Sequence, residues 1–111
     1  MVIGLFDNAN HAAVCLSNLR EADFPPQDIS VVTSDPKRAA ELANVSGPLT
    51  GLNPDDLVKR LVTLGLSPAD AEPYRVGLRQ GSVVVAVSTA GADAAAAETL
   101  QDHQATAIRI L

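Results

Sequence analysis

The sequence predicts an α+β domain with a four-stranded antiparallel sheet, on three observations. The runs Gly81 to Val87 (G-S-V-V-V-A-V) and Met1 to Phe6 (M-V-I-G-L-F) are apolar on both sides of the pleat, as in central strands covered on both faces. Each leads into a small-residue turn, a helix-like stretch and a further short β-branched run, Ile29 to Thr33 or Thr106 to Leu111. The order strand, helix, strand therefore occurs twice, in 1–33 and 82–111. Two βαβ halves in one small domain are the split βαβ, or ferredoxin-like, sandwich, with both long helices on one face and residues 34–80 as a helical insert between the second and third strands. A parallel doubly wound sheet is the rival, and would need helices divided between the two faces.

Taken in order, the elements follow from local chemistry. After the first strand, Asp7-Asn8-Ala9-Asn10 offers short side-chain oxygens that accept from the unpaired N–H groups of a helix start. The helix runs to about Ala22, with Ala12, Cys15, Leu16, Leu19 and Ala22 on its inward stripe. Phe24-Pro25-Pro26 ends it, because proline has no N–H and biases its predecessor toward extended backbone. Ile29 to Thr33 is the second strand. Ser34-Asp35-Pro36 then starts a short helix through Ala39, Leu42 and Ala43, and Asn44 to Leu52 reads as a loop.

Asn53-Pro54 opens a helix with Leu57, Leu61 and Leu64 on one face, i,i+4 pairs Asp55 to Lys59 and Asp56 to Arg60, and a stop at Gly65. Ser67 and Asp70 have capping-box spacing at the start of the next helix. Pro73 inside that helix predicts a kink or a fresh start at Glu72. Its inner face is Ala71, Tyr74 and Leu78, its outer face Glu72, Arg75 and Arg79, and Gly81 closes it. Past Val87 a helix from Ala94 to about His103 turns Ala96, Ala97 and Leu100 inward. Thr106 to Leu111 is the last strand, where Arg109 in an apolar run marks an edge or rim.

Composition narrows the function. At 111 residues the chain is one domain, 1–111, able to bury a core without staples. Cys15 has no partner in the sequence, which fits a reducing compartment. No apolar run approaches the ~20 residues of a membrane span and no secretory leader pattern is present, so the expected location is cytoplasmic, with no membrane partner. A net charge of −5 with eight scattered basic residues argues against a nucleic-acid partner. Phe6 alone on the central strands argues likewise, because the RNA-binding domains of this topology stack bases on aromatics there.

Both central strands are apolar on both sides, so the sheet face away from the two long helices needs a cover. The insert 34–80 or a second copy of the chain would supply it, and a homodimer is the expected partner arrangement.

Among candidate sites, the turn holding Asp7, Asn8 and Asn10 is the best small-molecule ligand position, since strand-to-helix turns expose N–H groups; helix capping competes with that reading. Tyr74, the sole tyrosine, would bring a hydroxyl to a pocket or interface, against the default of a core tyrosine. His11 and Cys15 are four apart on one helix, with His103 as a third ligand, but Cys15 fits the core stripe and no metal site is assigned. Asp55 with Asp56, Asp70 with Glu72, and Glu98 with Asp102 read better as first-turn or solvated charges than as acid/base pairs, so no catalytic residue is assigned. No phosphate-binding glycine motif or nucleophile elbow occurs and no cofactor is expected.

The opening V-I-G-L-F-D-N, with a helix ending in L-R-E-A-D-F-P-P-Q-D-I-S-V-V, resembles the start of the bacterial general stress protein domain, also called the heat-induced YflT-like domain. The segment L-G-L-S-P-A-D-A-E-P-Y-R-V-G-L-R-Q-G-S-V-V-V-A-V is similar to that family's tyrosine-bearing helix running into a valine strand. The resemblance covers about three-quarters of the chain and its motifs are structural. It implies a small stress-response domain without defined catalytic residues, and points to Asp7, Asp28, Tyr74, Gly81 and the valines after it as matching positions. Where many relatives carry a longer glycine- and alanine-rich stretch, this chain has only Ser46 to Gly51, which argues against carrying over a membrane-associated role.

Two functional expectations follow. The first is a non-enzymatic protein-interaction or assembly module of the stress-response type. The alternative is a small-ligand regulatory domain of the amino-acid-binding, ACT-like type.

Overall fold

Alternation along four short strands sets the architecture. A computed structural model of the chain describes residues 1–35, 37, 45–47, 49–89 and 91–111. Its elements are β1 (Val2–Phe6), α1 (Ala9–Glu21), β2 (Ile29–Thr33), α2 (Pro54–Thr63), α3 (Pro68–Arg79), β3 (Val83–Val87), α4 (Asp93–Asp102) and β4 (Thr106–Ile110). A single 3-10 turn, Pro26–Asp28, leads into β2. Among the described residues the fold is α+β, an open sheet of four antiparallel strands with four helices. The strand order is β2-β3-β1-β4, with β3 antiparallel to both β1 and β2, and β1 antiparallel to β4. The short helix expected over Ser34 to Ala43 falls largely outside the described residues.

Odd and even positions of the strands divide between two cores. Val2, Phe6, Ile29, Val31, Val83, Val85 and Val87 face α1 and α4, meeting Ala12, Cys15, Leu16, Leu19, Ala96 and Leu100. Ile3, Leu5, Val32, Val84 and Ala86 face the other way, against Leu57, Leu61, Ala71, Tyr74 and Leu78 of α2 and α3. All five residues of β1 and of β3 are buried. The cover that two apolar faces demand therefore comes from the chain itself, and a second copy is not needed as a roof. Gly77 lets α3 lie directly on β1, because a Cβ there would stand 2.8 Å from both Leu5 methyl carbons.

The two outer edges of the sheet are treated differently. Along β2, the Ser46 N–H donates to the Pro26 carbonyl (3.0 Å) and the Gly47 N–H to that of Ile29 (2.8 Å). The Leu49 N–H donates to the buried Ser30 hydroxyl at 3.0 Å, and the Val31 N–H to the Thr50 hydroxyl at 3.4 Å. This clasp satisfies backbone groups that an edge strand otherwise exposes. At the far side β4 ends the sheet, with Thr106, Arg109 and Ile110 exposed.

All four described helices stop in the same way. In each, the N–H two residues past the cap reaches back five residues: Phe24 to Leu19, Leu66 to Leu61, Ser82 to Gly77 and Ala105 to Leu100. This Schellman closure needs a left-handed residue just after the cap. Gly65 and Gly81 supply it after α2 and α3, but Asp23 (φ 70) and Gln104 (φ 68) must do so after α1 and α4. Left-handed backbone disfavours residues with a Cβ by about 1–2 kcal/mol. Asp23→Gly and Gln104→Gly are each expected to raise stability by about 0.5–1 kcal/mol, read as a higher urea midpoint with unchanged slope.

These reversals correct two expected core positions. Ala22 is exposed, because the chain turns at Asp23 before that residue can reach the core. Leu64, the cap of α2, is 43% exposed, and Leu66 takes its place inside after the turn at Gly65. The fresh start considered at Glu72 does not occur, since α3 runs unbroken from Pro68 to Arg79. Proline there removes a single bond, to the carbonyl of the exposed Ala69, which water can serve.

Candidate functional site

Where β1 ends, the turn Asp7 to Asn10 is occupied by structural bonds. Asn8 has extended backbone and caps α1, its Oδ1 accepting from the N–H of Asn10 at 2.8 Å and of His11 at 3.4 Å. Asp7 accepts a hydrogen bond at 3.1 Å from the hydroxyl of Ser82, which precedes β3. The turn thereby pins the end of one central strand to the start of the other. Asn10 contributes its backbone to this arrangement, and its side chain is exposed.

Tyr74 lies apart from that turn, in the core between the sheet and α3 on the opposite face from α1. The structure therefore does not gather Asp7, Asn8, Asn10 and Tyr74 into one site. The tyrosine is fully buried, and its hydroxyl donates to the carbonyl of Ala107 in β4. Ala107 has φ 51 and stands where the β1–β4 register shifts: Ile3 pairs with Arg109, but Leu5 pairs with Thr106. One extra residue is thus inserted opposite Gly4, whose missing side chain leaves room there, since a Cβ would lie 3.2 Å from the Ala105 Cβ. The bulge re-phases the strand. Ala107 and Leu111 reach the core under α2 and α3, while Ile108 reaches the one under α1 and α4.

A second tether joins the same helix and strand, because Asp70 meets the Arg109 guanidinium at 3.4 Å. Asp55 crosses from α2 to α3, 3.8 Å from Arg75 and 3.5 Å from Arg79. Glu72 pairs with Arg75, and Asp56 accepts from the Asn53 side chain at 3.1 Å. Of the carboxylates considered as acid/base pairs in this region, Asp55 joins α2 to α3 and Asp70 joins α3 to β4, whereas Glu72 and Asp56 bond within their own helix or its cap. Such exposed pairs contribute about 0–1 kcal/mol each.

His11, Cys15 and His103 do not come together as a three-residue group. Cys15 is fully buried in the α1 stripe, and the ring of His103 lies 2.6 Å from the Asn18 side-chain amide. Among the described residues, no three His, Cys, Asp or Glu side chains are grouped to hold a metal ion. Nor is any described helix long and apolar enough to cross a membrane.

Burial pushes the Cys15 thiol up to about 12. It pushes the Tyr74 phenol up to about 12 as well, with Arg109 pulling it back and Asp70 adding to the rise. The unfolded chain releases these protons near 9.0 and 10.0, so above pH 9 it binds fewer protons than the folded chain. Stability is accordingly expected to fall as pH rises from 9.0 toward about 12. Urea midpoints followed upward through that range check this, and Cys15→Ala should remove the part of the slope that begins first.

Comparison with family models, with curated proteins and with solved structures returns no match. The site is therefore read from its own geometry.

Several residues that shape it were not singled out by sequence. Ser82 looks like an ordinary strand-flanking serine and Ser30 like an ordinary serine within a strand, and Ala107 gives no local signal for a bulge. Gly4, an interior strand glycine, is the one available hint, because such glycines often mark bulges or close approaches. The Tyr74 and Asp70 contacts to Ala107 and Arg109 fix the position of an edge strand.

Proposed function

We propose that the chain is a non-enzymatic interaction module of the bacterial general-stress type, a ferredoxin-like sandwich with a helical insert, which assembles as a homodimer through the open edge of β4. The strand order and the pairing of both α1 and α4 with one face support the fold assignment. The observation that carries the functional reading is the contrast between the two sheet edges. The chain spends Ser46, Gly47, Leu49 and Thr50 on closing the edge of β2, yet no described residue covers the edge of β4, where Ile110, 58% exposed, is the most exposed of the described large apolar side chains. An open strand edge offers a row of backbone donors and acceptors to another strand.

The small-ligand reading draws less support. The Asn8 side-chain oxygen and the Tyr74 hydroxyl are already engaged, Asp7 is bonded to Ser82, and the sheet separates the turn from the tyrosine. A cytoplasmic setting agrees with the unpaired, buried cysteine.

Light scattering over a concentration series tests the proposal. The expected result is a mass rising from 11.5 kDa toward twice that value, with Ile110→Lys remaining at the lower mass. A wild-type mass constant into the millimolar range would contradict it.

A further inference from the structure

The bulge in β4 changes what that edge can offer a second copy. In an antiparallel ladder, residue pairs that exchange both backbone bonds alternate with pairs that exchange none. Met1 and Leu111 exchange both. Ile3 with Arg109 is then the next such pair, so Ile108 and Ile110 turn their N–H and C=O outward. A regular strand would continue with Thr106 outward as well. The extra residue at Ala107 sets Thr106 opposite Leu5 instead, where it turns inward. The bulge thus shortens the usable edge from Thr106, Ile108 and Ile110 to the last two.

The shortened edge is also poorly suited to pairing with itself. Two copies joined antiparallel through Ile108 and Ile110 alone share a two-fold axis at Arg109, and the two guanidinium-bearing side chains then lie directly opposite, a destabilising like-charge pair. With the bulge removed the axis moves to Ile108, Thr106 faces Ile110, and Arg109 faces Ala107 of the second copy. The bulge is not the conformation alanine adopts unaided, since φ at Ala107 is 51. The Tyr74 hydroxyl holds the carbonyl of that residue, and Asp70, one turn earlier on the same helix, holds Arg109.

We propose that Tyr74 is a latch, whose hydroxyl keeps β4 bulged and thereby restrains it from pairing with β4 of a second copy. This rests on assembly through β4 as proposed above. Loosening of α3 from the sheet would free the carbonyl, let the strand straighten and strengthen the dimer.

Light scattering on three variants tests the latch. Tyr74→Phe is expected to dimerise about tenfold more tightly than the wild type, for loss of one hydrogen bond in each of the two copies. Ala107→Gly, which accepts the bulge without strain, is expected to dimerise more weakly. Asp70→Asn releases the second tether at the surface and should tighten the dimer even if the tyrosine variant fails to fold. Unchanged dissociation constants in all folded variants, with Ile110→Lys still abolishing the dimer, would overturn the latch and leave the assembly standing. Monomers throughout would overturn both.

Discussion

Gly47→Ala is expected to destabilise the domain by about 3 kcal/mol or more, lowering Tm by about 10 °C. A Cβ at this position would lie 2.5 Å from both the carbonyl carbon and the oxygen of Ile29, and against the Ser30 hydroxyl. Two of those three neighbours are backbone atoms of β2, which cannot rotate aside. The chain would have to lift away from the strand, taking with it the Gly47 N–H bond to Ile29 and leaving the buried Ser30 hydroxyl without its Leu49 donor. Buried polar groups left unsatisfied add about 1–3 kcal/mol each, so steric and polar effects act in the same direction. Thermal unfolding followed by circular dichroism measures the loss. A Tm within a few degrees of the wild type would show that the clasp is not packed as described.

The second large effect concerns the layer over the other sheet face. Leu61→Ala should cost about 2–5 kcal/mol, because Leu61 is fully buried between α2 and the sheet-facing side of α3. Val62, next to it, is 40% exposed, and Val62→Ala should shift stability by less than about 1 kcal/mol. The contrast between neighbours of similar chemistry separates burial from helix propensity. If α2 were a loosely attached appendage, both substitutions would be nearly silent in urea denaturation.

Much of this architecture was legible in the residues, and the reasons are physical. A two-sided apolar pattern at Val83 to Val87 can be satisfied only by covering both faces, and the leucine stripe of α2 has nowhere else to go. Asn8, Asn53 and Ser67 were readable as helix caps because their short side chains reach the N–H groups two and three residues on. Position within α3 could not be read as well. Pro73 breaks a rule of helix interiors, yet the lost bond falls at an exposed carbonyl and the helix continues.

The candidate site was less legible. Tyr74 stood out as the sole tyrosine, but whether its hydroxyl meets a ligand or a carbonyl depends on the register of a strand thirty-three residues away. That register turns on a bulge at Ala107, a residue with no intrinsic tendency to form one. Asp7 and Asn8 were visible as turn residues, whereas Ser82 becomes the partner of Asp7 only once β1 and β3 are paired. Long-range pairing decides both cases, and no local window contains it.

The central claim is that one chain supplies both covers of its own sheet, and nuclear Overhauser contacts between the α-protons of Gly77 and the δ-methyls of Leu5 test it most directly. Strong cross-peaks that persist unchanged on dilution, and that appear within a single labelled chain, are the predicted result. Their absence in the folded protein, or their appearance only between differently labelled copies, would mean that something other than this chain's own α3 lies over β1.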